Sequence, residues 1–220
     1  TIWVFAPTVA SLPLYFSSLE LSYAGAFFEA MSGLTTTGGT AISGLDVLPR
    51  GLLMWRSLMQ WMGGIGIIGM AILILPSLGA GGLSLFQMEN SDRSDKVLPR
   101  VNQLAAGLLG AYVALTIACM ATYVMLGMGA FDAINHAMTT VATGGFSTHD
   151  ASMGYFESDA ILIAATVFMI LGALPFVIYI RAFLPRRFQR WRDPQIPVFL
   201  VICAVLSLTL AASRRTINDT

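Results

Sequence analysis

The sequence Thr-Thr-Thr-Gly-Gly at residues 35–39 has a counterpart, Val-Ala-Thr-Gly-Gly, at residues 141–145, and each follows a short apolar stretch. Glycine and small hydroxylated residues form helix poorly, so both sequences predict loops. Within a membrane, non-helical backbone persists only where it is buried in protein or lines a water-filled path. A chain with two such loops among apolar segments is therefore predicted to form part of a pore.

The composition is typical of a multi-pass membrane protein. The 220 residues are 56% hydrophobic and only 11% charged, with a mean hydropathy of +0.74. An average soluble domain carries about 25% charged residues. We therefore expect membrane lipid around most of the chain and no nucleic-acid partner.

The apolar segments differ in length in an ordered way. At about 1.5 Å per residue, residues 21–34 and 130–140 are too short to cross a hydrocarbon core about 30 Å thick. Both are predicted to be half-helices that enter the membrane and stop. The segments predicted to cross it are residues 52–78, 101–128, 160–184 and 196–212, together with a kinked or truncated first crossing at residues 1–16.

The order crossing, half-helix, glycine loop, crossing occurs twice, which predicts tandem repeats. Each repeat has two complete crossings, so the repeats are parallel and pack around an axis normal to the membrane. The fold class predicted is an all-α membrane protein of tandem helix, re-entrant loop, helix repeats. The predicted parts are a first pore repeat at 1–88, a cytoplasmic linker at 89–100, a second pore repeat at 101–184, a basic cytoplasmic linker at 185–195 and the truncated first helix of a third repeat at 196–220.

Charge placement predicts the orientation. Basic residues cluster at 93–100 and, interleaved with aromatic residues, at 181–192. Such clusters favour the cytoplasmic side, so the glycine loops are predicted to open outward. The outer side then carries most of the acidic residues, which attract cations, along with Arg56. Arg214 and Arg215 fit this arrangement poorly.

The glycine loops have the chemistry needed for a monovalent cation. Backbone carbonyls replace the hydration shell of such an ion without adding a fixed charge that would trap it. Gly38 and Gly144 are expected to adopt positive φ, which turns the carbonyls inward. The half-helices would also point the negative ends of their dipoles at the loops. The predicted filter residues are Thr35, Thr36, Thr37, Gly38, Gly39, Val141, Ala142, Thr143, Gly144 and Gly145.

Three motifs carry a family resemblance. They are FEAMSGLTTTG at residues 28–38, WRSL with QWMGGIG at residues 55–66, and ATGGFSTHD at residues 142–150. In this order and spacing they resemble the TrkH-type potassium-uptake subunits of the Trk/Ktr/HKT superfamily. The resemblance covers nearly the whole chain, and departs from the family pattern at the Gly-Ala-Leu-Pro-Phe-Val sequence of residues 172–177.

The resemblance implies a potassium-channel-like pore of four non-identical repeats, of which this chain carries the first two and the start of a third. Each loop would supply one filter glycine and bind K⁺ through backbone carbonyls. Serine in place of the first filter glycine goes with sodium preference in plant members, so Gly38 and Gly144 imply K⁺. The family also implies the bacterial inner membrane, a homodimer of the full-length subunit and a cytosolic nucleotide-binding regulatory ring.

Other signals have weaker interpretations. The sequence Gly-Ile-Gly-Ile-Ile-Gly at residues 64–69 matches a dinucleotide-binding fingerprint but lies within a membrane span, where small residues serve helix packing. Glu29 and Asp132 lie in the half-helices, where they would either concentrate cations near the outer mouth or bind them directly. His136 and His149 would either make structural hydrogen bonds or respond to pH.

These observations predict permeation without covalent chemistry, and so neither an enzyme nor a bound cofactor. Cys119 and Cys203 are expected to pack as small apolar residues. Three alternatives stay open: each loop is only a tight turn between buried helices, the protein is an alternating-access carrier, or the chain is a non-conducting membrane scaffold. A carrier would be expected to have inverted repeats.

Overall fold

The computed structural model describes residues 2–77, 97–176, 178–179 and 195–218, and within them every regular element is helical. Two compact units are present, residues 1–180 and residues 181–220. In the described part of the second unit, a single helix, α7, spans Gln195–Asn218. The first unit contains α1 (Ile2–Tyr15), α2 (Tyr23–Leu34), α3 (Arg50–Ser77), α4 (Val97–Met125), α5 (Ala130–Val141) and α6 (Asp159–Ala173).

Helices α1, α2 and α3 form the first repeat. The Ser22 side chain begins α2 by accepting a hydrogen bond of 3.2 Å from the Gly25 N–H, as an N-cap residue does. Small and flexible side chains let α2 lie close to its neighbours: Ala26 and Ala30 are fully buried against Leu14 of α1 and Met59 of α3. The half-helix is therefore held between two longer helices.

Helices α4, α5 and α6 repeat this arrangement, and α3 also packs against α5, which joins the repeats. The half-helix α5 is buried along most of its length. Tyr112 and Tyr123 of α4 are buried in the core of this repeat, where the Tyr123 hydroxyl lies 2.9 Å from the Thr140 hydroxyl. The Tyr112 hydroxyl donates to the Trp61 carbonyl at 3.1 Å, so both tyrosines have the partner that burial requires.

The helix bounds confirm most of the predicted segments. The half-helices end where the glycine loops begin, at Leu34 and Val141. Among the described residues, one segment, Ala105–Met125 of α4, is both long and apolar enough to cross a membrane by length and composition alone. Helix α7 extends past the predicted end at residue 212 and includes Arg214 and Arg215. The predicted linkers at 89–100 and 185–195 lie largely outside the described residues.

The predicted crossing at residues 160–184 is not a single continuous helix. Helix α6 ends at Ala173, and Leu174 adopts extended backbone with φ −70° and ψ 147°. Proline disfavours the helical conformation at the residue before it and offers no N–H, and Pro175 follows the extended Leu174 directly, which accounts for the break. The departure from the family pattern at residues 172–177 thus coincides with a helix end.

Two glycines seat the half-helices against the longer helices. A Cβ at Gly63 of α3 would collide with the backbone of Leu34, and a Cβ at Gly172 of α6 would collide with the backbone of Val141. Leu34 and Val141 are the last residues of the two half-helices. Glycine is therefore required at the same point of each repeat, where the half-helix C-terminus touches the following helix.

We expect Gly63→Ala to destabilise the protein by about 1–3 kcal/mol, as overpacking against fixed atoms does. Gly66→Ala is the matched control, because a Cβ there meets nothing within 4 Å. Thermal unfolding in detergent should show a lower midpoint for Gly63→Ala and an unchanged or slightly higher one for Gly66→Ala. Equal midpoints for the two variants would contradict this packing.

Candidate functional site

The first glycine loop starts with a hydrogen-bonded turn at the end of α2. The Thr36 N–H donates to the Gly33 carbonyl at 3.0 Å, and the Thr37 N–H donates to the Ser32 carbonyl at 2.9 Å. This pair of bonds is the Schellman motif, which satisfies the last carbonyls of a helix and requires a left-handed residue. Thr36 is that residue, with φ +54°.

The second loop starts in the same way. The Thr143 N–H donates to the Thr140 carbonyl at 3.0 Å, the Gly144 N–H donates to the Thr139 carbonyl at 2.9 Å, and Thr143 has φ +54°. Glycine usually occupies this position, and a β-branched residue there is an outlier. Strain of this kind is characteristic of functional sites.

The structure corrects the alignment of the two loops by one residue. Aligning the two loops by residue identity pairs Gly38 with Gly144. Aligning them by their left-handed residues instead pairs Thr36 with Thr143, and it pairs Gly38, at φ +82°, with Gly145, at φ +81°. The prediction that Gly144 adopts positive φ is wrong, because Gly144 follows the left-handed threonine and so occupies the position of Thr37. The shared Thr-Gly-Gly letters conceal this shift.

The two loops lie side by side. A Cβ at Gly38 would collide with the carbonyl oxygen of Gly144, so only glycine fits there. Buried Gln60 of α3 accepts a hydrogen bond of 3.0 Å from the Phe146 N–H, and it packs so closely that a Cβ at Gly144 would collide with it. One side of each loop therefore faces closely packed protein.

Nine of the ten predicted filter residues lie in these two adjacent loops, whereas Val141 is the last residue of α5, so its predicted place in the loop is wrong. The exposure of the ten residues differs. Thr37, Thr143 and Gly145 are exposed, Val141, Ala142 and Gly144 are buried, and Thr35, Thr36, Gly38 and Gly39 are partly buried. A Cβ at Gly145 would meet nothing within 4 Å. The loops thus present an open side as well as a packed one.

Behind the first loop lies an ion pair that sequence analysis missed. Arg56 and Glu29 are 1% and 0% exposed, and Arg56 Nε lies 2.7 Å from Glu29 Oε1. Glu29 also accepts hydrogen bonds from the Thr40 hydroxyl and from the Ala41 N–H, the latter at 2.8 Å. The placement of Glu29 in water at the outer mouth is therefore wrong. The position of Arg56 within a predicted crossing and of Glu29 within a predicted half-helix was the signal that each charge needs a partner.

In the second repeat, the buried polar side chain behind the loop is that of a histidine. His136 Nδ1 donates to the Asp132 carbonyl at 2.9 Å, and Nε2 accepts from the Ser147 hydroxyl at 3.0 Å. The carbonyl can only accept, which assigns the proton to Nδ1. The Ser147 Oγ accepts in turn from the His149 N–H at 3.0 Å. His136 thus has the structural hydrogen bonds that were one of its two interpretations.

Polar side chains join the segments that follow the two loops, on the side predicted to be the outer one. His149 stacks on Tyr155, its Nδ1 lies 2.5 Å from Asp46 Oδ1, and its Nε2 lies 3.5 Å from Asp132 Oδ1. Asp132 also accepts a hydrogen bond of 2.7 Å from the Thr148 hydroxyl. This outer cluster connects the segment after the first loop with the segment after the second.

Asp150 adds a second connection, accepting the Gly44 and Leu45 N–H groups at 3.1 Å. A cavity of about 430 Å³ lies beside the outer cluster, between residues 45–53 and the start of α5. In the described part of the chain, none of the ten predicted filter residues lines this cavity. It is separate from the glycine loops.

Comparison with known proteins shows the family. A sequence model of the TrkH family, described as "Cation transport protein", matches residues 2–214. The chain belongs to the TrkH family. It is similar to the Trk system potassium uptake protein TrkI of Halomonas elongata, with 45% identity over 94% of this chain and 43% of that protein. It is also similar to the Trk system potassium uptake protein TrkH of Escherichia coli, with 41% identity over 93% of this chain and 44% of that protein.

The fold agrees with a solved TrkH structure. The crystal structure of the potassium transporter TrkH from Vibrio parahaemolyticus superposes with a TM-score of 0.82 at 41% identity, covering 94% of this chain and 42% of that one. The TrkH-family chain thus spans less than half the length of these relatives. Its family is one of membrane transport proteins and not of enzymes, and the predicted all-α membrane fold is confirmed.

The left-handed threonines of this TrkH-family chain predict an unusual stability change. Thr143→Gly should stabilise the protein by about 1 kcal/mol or less, because it relieves strain of about 1–2 kcal/mol while adding unfolded-state entropy. Thr122→Gly, at a partly buried position within α4, is the control and should destabilise it. Thermal unfolding in detergent measures both, and a lower midpoint for Thr143→Gly would contradict the strain.

The outer cluster predicts a pH effect on Asp46. The hydrogen bond from His149 lowers the pKa of the Asp46 carboxyl from its ordinary value of 3.8. Because the folded-state pKa is the lower one, this contact stabilises the fold above pH 3.8 and loses its effect as the pH falls through the folded-state pKa. In His149→Ala, Asp46 should take up its proton at higher pH. Carboxyl ¹³C NMR titration, with Asp46→Asn to assign the signal, would refute this if both proteins gave the same pKa.

Proposed function

We propose that this chain is part of a potassium-uptake pore in which residues 35–39 and 141–145 supply backbone carbonyls that bind the passing ion. The observation that carries the proposal is the pair of adjacent loops, each with a left-handed threonine and a left-handed glycine at matching positions. The names of the relatives, which are potassium uptake proteins, support K⁺ as the ion.

The hydrogen bonding of the loops favours carbonyls as ligands. The N–H groups of Thr36, Thr37 and Gly144 donate back to the half-helices, and the Phe146 N–H donates to Gln60. With these donors directed into the protein, an extended loop turns carbonyls toward its open side. Carbonyl oxygens are the groups that replace the water shell of K⁺ in selective filters.

The electrostatics of the site favour a permeant cation that is not trapped. Helices α2 and α5 both end at the loops, so the partial negative charge of each C-terminus lies near the ion path. The carboxylate of Glu29 is already neutralised by Arg56. The attraction from the helix ends is modest, which allows the ion to leave as well as enter.

The two repeats support a pore over an alternating-access carrier. In each, the chain passes from the half-helix through the loop to the same outer side, where Asp46 and Asp150 contact the other repeat. Both repeats therefore have one orientation, whereas carriers with midplane sites are commonly built from inverted repeats. Further repeats from outside this chain would complete the ring of loops.

The remaining features of the proposal follow the resemblance to the family. The full-length subunit would form a homodimer in the bacterial inner membrane, with the glycine loops opening outward. A cytosolic nucleotide-binding ring would regulate it. The acidic residues at the outer side would raise the local cation concentration without binding the ion directly.

Uptake of ⁸⁶Rb⁺ by the full-length protein, in bacteria without other potassium uptake systems, tests the pore. Gly38→Ser and Gly145→Ser should lower the Rb⁺ over Na⁺ preference at least about tenfold, equivalent to about 1.4 kcal/mol. Gly127→Ser is the matched control, since Gly127 also has positive φ but lies outside both loops.

Unchanged ion preference in both loop variants would refute the filter assignment. Failure of the wild-type protein to take up Rb⁺ at all would favour the non-conducting scaffold. Loss of preference in the Gly127→Ser control would show that any strained glycine gives the same effect, and would also count against the assignment.

A further inference from the structure

We propose that Arg56 is a positioning residue that sets the spacing of the two glycine loops, and through it the ion preference of the pore. This inference rests on the proposed function. Arg56 belongs to neither loop, yet its side chain contacts residues at the base of the first and just beyond the second.

The Arg56 guanidinium donates in three directions. Its Nε donates to Glu29 of α2 at 2.7 Å, its Nη2 to the Thr40 hydroxyl at 3.1 Å, and its Nη1 to the Ser147 carbonyl at 3.0 Å. The guanidinium also lies 4.3 Å from the centroid of the Phe146 ring. Because these donors form one rigid plane, the partners are held at fixed relative positions.

Neither charge of the pair is available to a permeating ion. Glu29 Oε1 accepts from Arg56 and Thr40, and Oε2 accepts from Thr40 and the Ala41 N–H. Both side chains are almost completely buried. The pair therefore acts through the loops and does not bind the ion. Removing one partner would leave an unpaired buried charge, which strongly destabilises a fold.

The second repeat lacks an equivalent arginine. When the two loops are aligned on their left-handed residues, Glu29 corresponds to His136 and Thr40 corresponds to Ser147. Thr40 is hydrogen-bonded to Glu29 in the first repeat, and Ser147 is hydrogen-bonded to His136 in the second. Gly63 and Gly172 occupy matching positions on the longer helices. When the two helices are aligned on these glycines, the residue that corresponds to Arg56 is buried Ala165.

Among the described residues of the two repeats, this charged contact is therefore made once, at the boundary between them. In the second repeat, the neutral bond between His136 and Ser147 holds the loop to its half-helix, and Arg56 holds that loop to the first repeat. A purely local support for the first loop would not need the contact to Ser147.

Spacing matters because a carbonyl filter discriminates between alkali ions by cavity size or by the number and field of its carbonyls. Both properties change when one loop moves relative to the other. The Ser147 carbonyl lies two residues beyond Gly145, so a displacement there is carried into the loop directly. A residue that only stabilised the fold would alter protein amount and leave ion preference unchanged.

The test compares Arg56→Lys and Thr40→Val in the full-length protein. Lysine keeps the charge and can still pair with Glu29, but it lacks the rigid fork. Thr40→Val removes the acceptor of Nη2 and the hydroxyl donor to Glu29, but it keeps both charges of the buried ion pair. It is therefore the variant expected to insert if Arg56→Lys does not. The control is Arg50→Lys, since Arg50 lies on the same helix over the Phe131 ring and away from both loops.

We expect Arg56→Lys to reduce the Rb⁺ over Na⁺ preference about tenfold and to raise the KM for Rb⁺, after correction for the amount of protein in the membrane. Thr40→Val should change both in the same direction by a smaller factor, and Arg50→Lys should change neither. Wild-type preference in every variant that inserts, with only a lower protein amount, would overturn the inference.

Gly145→Ser, measured in parallel, separates the two proposals. If Gly145→Ser changes the ion preference and the Arg56 and Thr40 variants do not, the loops form the filter and the inference about Arg56 fails alone. If Gly145→Ser has no effect, the filter assignment itself fails.

Discussion

Irregular backbone at membrane depth is stable only when its polar groups have partners, and the two glycine loops meet this constraint through the protein behind them. The first loop is held by the half-helix turn and by buried Glu29, whereas the second is held by the same turn and by Gln60. Buried polar residues therefore support the loops from one side, and the loops keep the other side open.

The two repeats share one backbone arrangement but use different side chains to satisfy that constraint. Each half-helix is followed by a turn with a left-handed threonine, and each following helix presents a glycine to the half-helix terminus. Behind the loops, however, the first repeat uses the ion pair of Arg56 and Glu29 and the second uses the neutral pair of His136 and Ser147. This difference is what allows a single guanidinium to link the repeats.

Sequence patterns predicted the half-helices and the loops because glycine and hydrophobic length are local signals. Pro175 also indicated a helix break, but the predicted crossing at residues 160–184 continued across it because the surrounding residues are apolar. The loop register could not be taken from residue identity, because Thr37 and Gly144 differ while occupying equivalent positions. The Arg56–Glu29 contact joins different helices, so the sequence indicated only that a charged residue within an apolar segment needs a partner, and not which partner.

Direct location of the ion tests the central claim, that main-chain oxygens of the two loops bind it. Crystals of the full-length protein grown with Rb⁺ or Tl⁺ would reveal the ion by anomalous scattering. The account predicts density on the open side of residues 36–38 and 143–145, at coordination distance from their carbonyl oxygens. Density instead at the carboxylates of Asp46 or Asp132, with none beside the loops, would contradict it.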